Sequence, residues 1–152
     1  MGADDLYGQK RRSRNNLTPV DIKARRTRPV PVGDSTGYAM VGDVVLYHNG
    51  AVITCDSVVR YSEREMTCFG KVIVKKEDTY IYGNRVEYNR DRGEARIYSP
   101  LIKVRNKDAT LYTYNLVFNT AKNIGRFYGG GMIPAPDQRR DNPEHKLSLT
   151  IF

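Results

Sequence analysis

The sequence predicts an all-β domain built from stacked antiparallel strands. Three observations support this fold class: a segment that occurs three times, apolar residues spaced two apart within it, and polar turns at regular intervals. The copies begin at Val44, Val72 and Ile102, so successive repeats start 28 and 30 residues apart. A fixed period of this length is typical of supersecondary units that stack and share one core. A spacing of two is the period of a β-strand.

Each repeat contains three apolar segments and a closing polar turn. The first segments cover residues 44–46, 72–74 and 102–104. The second and third segments are pairs spaced two apart, namely Ile53 with Cys55, Val59 with Tyr61, Ile81 with Gly83, Val86 with Tyr88, Leu111 with Thr113, and Leu116 with Phe118. The turns fall at 62–65, 89–93 and 119–123. Loops this short connect antiparallel neighbours, and no apolar stripe supports a helix longer than about two turns.

The flanking segments differ in composition from the repeats, so we divide the chain into three parts. Residues 1–36 are rich in basic side chains and little periodic, which predicts a basic, flexible arm. Residues 37–133 form the predicted repeat domain. Residues 134–152 begin as a polar linker and end in an alternating segment that predicts a last strand. Pro29 and Pro31 suit a sheet edge, because proline has no N–H for a ladder bond.

Composition narrows the classes of function. The net charge is +8, Tyr occurs 11 times and Trp is absent. A domain this basic usually meets an anionic partner such as nucleic acid, a membrane surface or a phosphorylated lipid. No apolar run approaches the roughly 18 residues that a membrane span requires. The N-terminus also lacks the apolar segment of a signal peptide.

The sequence contains no recognisable catalytic or metal-binding constellation. The two histidines, His48 and His145, have no nucleophile in a known catalytic spacing. Cys55 and Cys68 occupy apolar-pattern positions, and a turn near residues 63–64 places them out of register for a disulfide. We therefore expect two buried thiols, no metal site, no cofactor and no enzymatic activity.

The repeats resemble the OstA-like family, the β-jellyroll of the lipopolysaccharide-transport proteins LptA and LptD, and the third repeat is similar to the form found in Bacteroidetes-type bacteria. The residues that carry the resemblance are 42–46, 50–57, 70–74, 80–88, 109–113 and 123–130. They lie within residues 38–133. The resemblance implies an open β-jellyroll of stacked antiparallel strands, with repeats of about 28–30 residues, in a protein of outer-membrane biogenesis in Gram-negative bacteria.

The resemblance also implies a function, which is to carry acyl chains of lipopolysaccharide in an apolar trough between the inner and outer membranes. Alternation along the strands indicates which side chains line that trough. The predicted lipid-binding residues are Val44, Leu46, Ile53, Val59, Tyr61, Val72, Val74, Ile81, Val86, Tyr88, Ile102, Val104, Leu111, Leu116 and Phe118. The same alternation fits an ordinary closed core. Basic residues at the rim, such as Lys71, Lys76 and Arg85, could attract lipid phosphates.

The implied partners are lipopolysaccharide or a related glycolipid, and related jellyroll domains of inner- and outer-membrane transport components. We expect a periplasmic protein, with its signal peptide absent from this sequence, and no nucleic acid partner. Open strand edges near 38–47 and near 109–118, or 147–152 if the tail folds back, predict a head-to-tail homo-oligomer.

Two other interpretations stay open. The tyrosines and basic surface also suit a single-stranded nucleic-acid-binding β domain. A purely structural bridge that polymerises by strand addition fits the open ends of the stack and is compatible with lipid transport.

Overall fold

The computed structural model describes residues 18–128, 131–134 and 150–151, which form thirteen strands and no helix. This confirms the predicted all-β fold. In chain order the strands are β1 (Asp21–Lys23), β2 (Arg26–Val32), β3 (Ser35–His48), β4 (Ala51–Arg60), β5 (Glu65–Lys76), β6 (Thr79–Asn89), β7 (Glu94–Tyr98), β8 (Ile102–Arg105), β9 (Ala109–Thr113), β10 (Asn115–Asn119), β11 (Ile124–Tyr128), β12 (Gly131–Pro134) and β13 (Thr150–Ile151).

The strand pairs form two ladders. The first ladder runs β1, the second half of β3, the first half of β4, the second half of β5, the first half of β6, then β8, β9 and β12. The second ladder runs β2, the other halves of β3 to β6, then β7, β10, β11 and β13. Every pair is antiparallel except β11 with β13.

Irregular positions mark the corners where β3, β4 and β5 pass from one ladder to the other. The register shifts between Val41 and Val44, between Thr54 and Ser57, and between Phe69 and Val72. At the corner in β5, Gly70 has φ 84° and Lys71 has φ 46°. A side chain on Gly70 would also overlap the carboxylate of Asp56. A bulge of this kind bends the strand and re-aims the side chains that follow it.

The corners explain the sequence period. Between Val44 and Val72 the chain makes two strand halves in the first ladder, crosses a corner, makes two in the second ladder, and returns. One repeat is therefore one circuit of both ladders. Stacking successive circuits extends both ladders in the same direction.

The core lies between the two ladders. In the first ladder one row of inward residues crosses seven strands, namely Ile22, Leu46, Ile53, Val74, Ile81, Val104 and Leu111. A facing row in the second ladder consists of Met40, Val58, Cys68, Val86, Ile97, Leu116 and Phe127. Both rows belong to one hydrophobic cluster, so the two ladders pack face to face.

The β structure begins earlier than the sequence indicated. Residues 21–32, assigned above to a flexible arm, form β1 and β2 and pair with β3. The sequence pattern did not predict these strands, because an edge strand exposes most of its side chains and shows little apolar alternation. Residues 1–17 lie outside the described part of the chain. Of the predicted last strand, the described residues Thr150–Ile151 form β13, and the others lie outside the described part.

Candidate functional site

The interior between the ladders contains most of the predicted lipid-binding residues. Thirteen of the fifteen have no more than 2% of their surface exposed, namely Val44, Leu46, Ile53, Val72, Val74, Ile81, Val86, Tyr88, Ile102, Val104, Leu111, Leu116 and Phe118. Ile53, Ile81 and Leu111, the equivalent positions of the three repeats, lie in one cross-strand row with Val74 and Val104 between them. The repeat in the sequence thus becomes a row of equivalent side chains in the core.

Two of the fifteen residues do not face the interior. Val59 lies on the outer face and is partly exposed, and Tyr61 follows the end of β4 with 37% of its surface exposed. The inward residue of this segment is Val58, which is completely buried and lies opposite Cys68. The cause is the irregular register between Thr54 and Ser57, because one extra residue reverses the alternation beyond it.

The interior is packed in this structure. The inward side chains at its centre, such as Leu46, Ile81 and Phe118, expose at most 1% of their surface. This close packing is what the alternative of an ordinary core predicts. An acyl chain could enter only by separating the ladders or by replacing contacts between them, because protein interiors are close-packed.

The interior is exposed at its N-terminal end. Tyr38 and Met40 lie on the inward side of β3, where Tyr38 pairs with Arg60 and Met40 pairs with Val58. Tyr38 is 47% exposed, and Met40 is only partly buried against the core. We call this opening, formed by Tyr38, Met40 and Arg60, the N-terminal mouth.

Arg60 places a cation at the N-terminal mouth. Its guanidinium donates hydrogen bonds to the carbonyl oxygens of Ser62 at 3.2 Å and Glu63 at 3.1 Å. Partial burial lowers the pKa of Arg60, although an arginine stays charged at any pH that proteins tolerate. The mouth therefore combines apolar side chains with a fixed positive charge, a combination that the sequence pattern did not predict.

A polar clasp joins the two ladders where their turns meet, and it consists of His48, Asn49, Tyr88, Gly93 and Thr120. The Tyr88 hydroxyl lies 2.5 Å from Nδ1 of His48 and 2.8 Å from Oγ1 of Thr120. Oγ1 of Thr120 also lies 3.1 Å from the carbonyl oxygen of Gly93 and accepts from the side-chain amide of Asn49 at 3.1 Å. These contacts tie the 48–50 turn of the first ladder to two turns of the second.

The geometry of the clasp fixes the protonation of His48. Nε2 lies 2.9 Å from the carbonyl oxygen of Thr18, which can only accept, so Nε2 carries the proton. Nδ1 then accepts from Tyr88. Burial lowers the pKa of His48, with a smaller contribution from the charge of Arg90, and burial raises the pKa of Tyr88 to about 12. Both rings are therefore neutral near pH 7, which suits a buried network.

The two cysteines lie on neighbouring strands. Both are free and buried, and their thiols share a hydrogen bond that lowers the pKa of Cys55 and, with burial, raises the pKa of Cys68. Cys68 lies opposite Val58, so the two cysteines are out of register across the strand pair, as the turn near residues 63–64 predicted. Cys55 lies within the bulge of β4, between Thr54 and Ser57.

Neither a metal centre nor a membrane-spanning helix is found among the described residues. They contain no group of three or more His, Cys, Asp or Glu side chains arranged to hold a metal ion. They also contain no helix with the length and apolarity that a membrane span requires.

The two bent ladders around one apolar core define an open β-jellyroll. Comparison with known proteins agrees with this class. Residues 25–139 match the family described as OstA-like protein, and since the match covers more than half of the sequence, the chain belongs to the OstA-like family. This confirms the resemblance found in the repeats.

The fold is also similar to that of a solved structure. That structure is LptH from Pseudomonas aeruginosa, described as the LptA-homologous periplasmic component of a conserved lipopolysaccharide transport device. The TM-score is 0.66 at 16% sequence identity, over 80% of this chain and 98% of LptH. At this identity the likeness shows a shared fold. No curated protein matches the chain.

Proposed function

We propose that this chain is a periplasmic component of a lipopolysaccharide transport bridge, and that acyl chains of the glycolipid pass through the interior between the two ladders. The observation that carries the proposal is the pair of facing apolar rows that run across successive repeats without a charged residue. Membership of the OstA-like family and the shared fold with LptH, a periplasmic transport component by its description, support the same conclusion.

The free energy of such a complex comes from the acyl chain. Moving one methylene from water into an apolar site gains about 0.8 kcal/mol, so a chain of about ten methylenes gains roughly 8 kcal/mol. Separating the packed ladders opposes this gain. The result is binding that is weak enough for the lipid to be handed on, which suits a bridge.

The structure favours one place of entrance. The polar clasp holds the ladders together where their turns meet, whereas the N-terminal mouth already exposes inward-facing side chains. Arg60 supplies a positive charge at the mouth for a phosphate of the glycolipid. The acyl chains therefore enter at Tyr38 and Met40 and continue toward Val58 and Cys68.

A photocrosslinking experiment tests this function and asks which face of β3 contacts the lipid. A benzophenone amino acid replaces either Tyr38 or Val41, two exposed residues of β3 that face opposite sides of the sheet. Their exposures are similar, at 47% and 40%, so reagent access is matched. We expect purified lipopolysaccharide to crosslink at position 38 and not at 41. Equal crosslinking at both positions, or none at 38, would contradict the proposal.

The stack has free strand edges, through which we propose head-to-tail contact with a second copy and with related jellyroll domains at the two membranes. The N-terminal edge is not at 38–47, as the sequence suggested, because β1 and β2 cover β3 there. The edge strands of the described residues are β1 and β2 at one end, and β12 and β13 at the other. Residues 109–118 are likewise covered, by β11 and β12.

The two N-terminal edge strands are not equally able to receive a partner. The ladder between β2 and β3 runs unbroken through Pro29 and Pro31, so their nitrogens point to the free edge. That edge lacks two donors, and an added strand could not form a regular ladder there. We propose that β1, in the first ladder, is the strand that receives a partner.

A further inference from the structure

The outer face of the first ladder carries a surface of tyrosines and cations on the side opposite the apolar interior. Alternation along the strands directs these side chains away from the row that contains Leu46, Ile53 and Ile81. We call it the cation–tyrosine surface, and it consists of Lys23, Tyr47, Lys75, Tyr80, Tyr82, Lys103, Arg105 and Tyr112.

The cations of this surface lie over the tyrosine rings. Nζ of Lys75 and Cζ of Arg105 lie 5.6 Å and 5.2 Å from the ring centre of Tyr80. Nζ of Lys103 lies 5.7 Å from the ring centre of Tyr82. The rings of Tyr80 and Tyr82 stack, with centres 6.5 Å apart and an angle of 13° between planes. Cation–π contacts at these distances hold the positive groups close to the sheet.

The positive charge of this surface is not neutralised by the described residues. Lys75, Lys103 and Arg105 form no ion pair within residues 18–128. On the outer face of the second ladder, by contrast, Arg85 pairs with Glu87 at 3.9 Å. The acidic side chains nearest the three cations along the chain, such as Glu77 and Asp78, are in turns. Among the paired residues of this face, Asp21, opposite Tyr47, is the one carboxylate beside the four cations of the surface, so the face keeps a net positive charge.

Apolar surface adjoins the cations. A shallow groove of about 320 Å³ beside Tyr82 is lined by Ile73, Leu101, Lys71 and Lys103, among other residues. Leu101 is 48% exposed. Tyrosine and lysine side chains each combine an apolar body with a polar tip, which suits the boundary between a bilayer and water.

We propose that the cation–tyrosine surface binds the phosphate headgroups of an anionic lipid bilayer. The charges are complementary, and a sheet face presents its cations together to a lipid surface. Single-stranded nucleic acid fits less well. Its bases need free aromatic faces, and here cations and ring stacking occupy the faces of Tyr80 and Tyr82.

This inference does not depend on the proposed transport function. The interior and the cation–tyrosine surface lie on opposite sides of the first ladder, so a lipid whose acyl chains fill the interior does not occupy the outer face. The domain would lie flat against a membrane while its strand edges remain free for other partners.

Flotation with lipid vesicles tests the inference on the full chain. At low salt the protein should float with vesicles of equal parts phosphatidylglycerol and phosphatidylcholine. It should not float with vesicles of phosphatidylcholine alone. Each basic residue near an anionic surface adds about 1 kcal/mol to the free energy of membrane binding. The double variant Lys75→Gln/Arg105→Gln should therefore bind about 30-fold more weakly. The matched control, Lys122→Gln/Arg126→Gln, removes two exposed cations of the second ladder and should bind like wild type.

Four outcomes would overturn the inference. One is no flotation of the wild type. A second is an equal loss in both double variants, which would show attraction by net charge alone. A third is that inorganic phosphate at the concentration of lipid phosphate abolishes flotation, which would indicate a site for the free anion. The fourth is single-stranded DNA binding that depends on Lys75 and Arg105 without vesicle binding. Unchanged thermal unfolding of both variants establishes that their folds are intact.

Discussion

Replacing Ile81 by aspartate should unfold the domain or leave it marginally stable. Ile81 belongs to the seven-strand row, lies between Val74 and Val104, and is 1% exposed. A carboxylate here would have no cation or hydrogen-bond donor in the apolar row. It would therefore be ionised without a partner or be held neutral, and either state costs free energy.

The expected loss of stability can be estimated from the burial of Ile81. Keeping an aspartic acid neutral at pH 7 costs about 4 kcal/mol, from its ordinary pKa near 3.9 and 1.36 kcal/mol per unit. The lost packing of a buried isoleucine adds about 2–4 kcal/mol. The total of roughly 6–8 kcal/mol is comparable to the whole stability of a typical domain, about 5–15 kcal/mol.

Urea unfolding followed by circular dichroism at pH 7 measures the effect. The control is Ile73→Asp on the neighbouring strand. Ile73 is a partly exposed residue of the outer face that pairs with Tyr82, and its replacement should cost about 1 kcal/mol through lost strand propensity. A stable Ile81→Asp variant with an unfolded Ile73→Asp variant would show that the register is wrong by one residue, since such a slip exchanges the two faces.

The remaining predictions concern the polar clasp and the sheet edge. Because burial lowers the pKa of His48, the unfolded chain binds a proton more readily, so stability should be unaffected by this group above pH 6.5 and fall as the pH drops below it. Thermal unfolding as a function of pH shows this, and His48→Gln should flatten the profile. Replacing Tyr88 by phenylalanine leaves Nδ1 of His48 without its donor and should cost about 1–3 kcal/mol in urea unfolding; a cost near zero would mean that the clasp does not stabilise the native state. Replacing Pro29 and Pro31 by valine restores two donors at the free edge and should increase self-association in light scattering, and an unchanged monomer fraction would argue against this edge being blocked.

The sequence by itself determined the fold class and most of the interior. A period of 28 and 30 residues with a spacing of two was enough to predict stacked antiparallel strands, because these periodicities are set by backbone geometry. It also indicated that Ile53, Ile81 and Leu111 are equivalent inward positions, and they lie in one row because each repeat completes one circuit of the two ladders. The edge role of Pro29 and Pro31 followed from the missing N–H.

Tertiary structure decided the features that depend on the meeting of distant residues. Alternation predicted Val59 where the structure has Val58, because a bulge in β4 shifts the phase by one residue. The first repeat has one residue more than the others before its third segment, which indicates a bulge but not where it lies. Pairing with β3 made strands of residues 21–32, since edge strands are stabilised by their partner more than by their own pattern. The clasp joins His48 to Tyr88, 40 residues away, and Asn49 to Thr120, 71 residues away. Such contacts exist only once the ladders have packed, because the path of the chain through both ladders, and no local pattern, brings these side chains together.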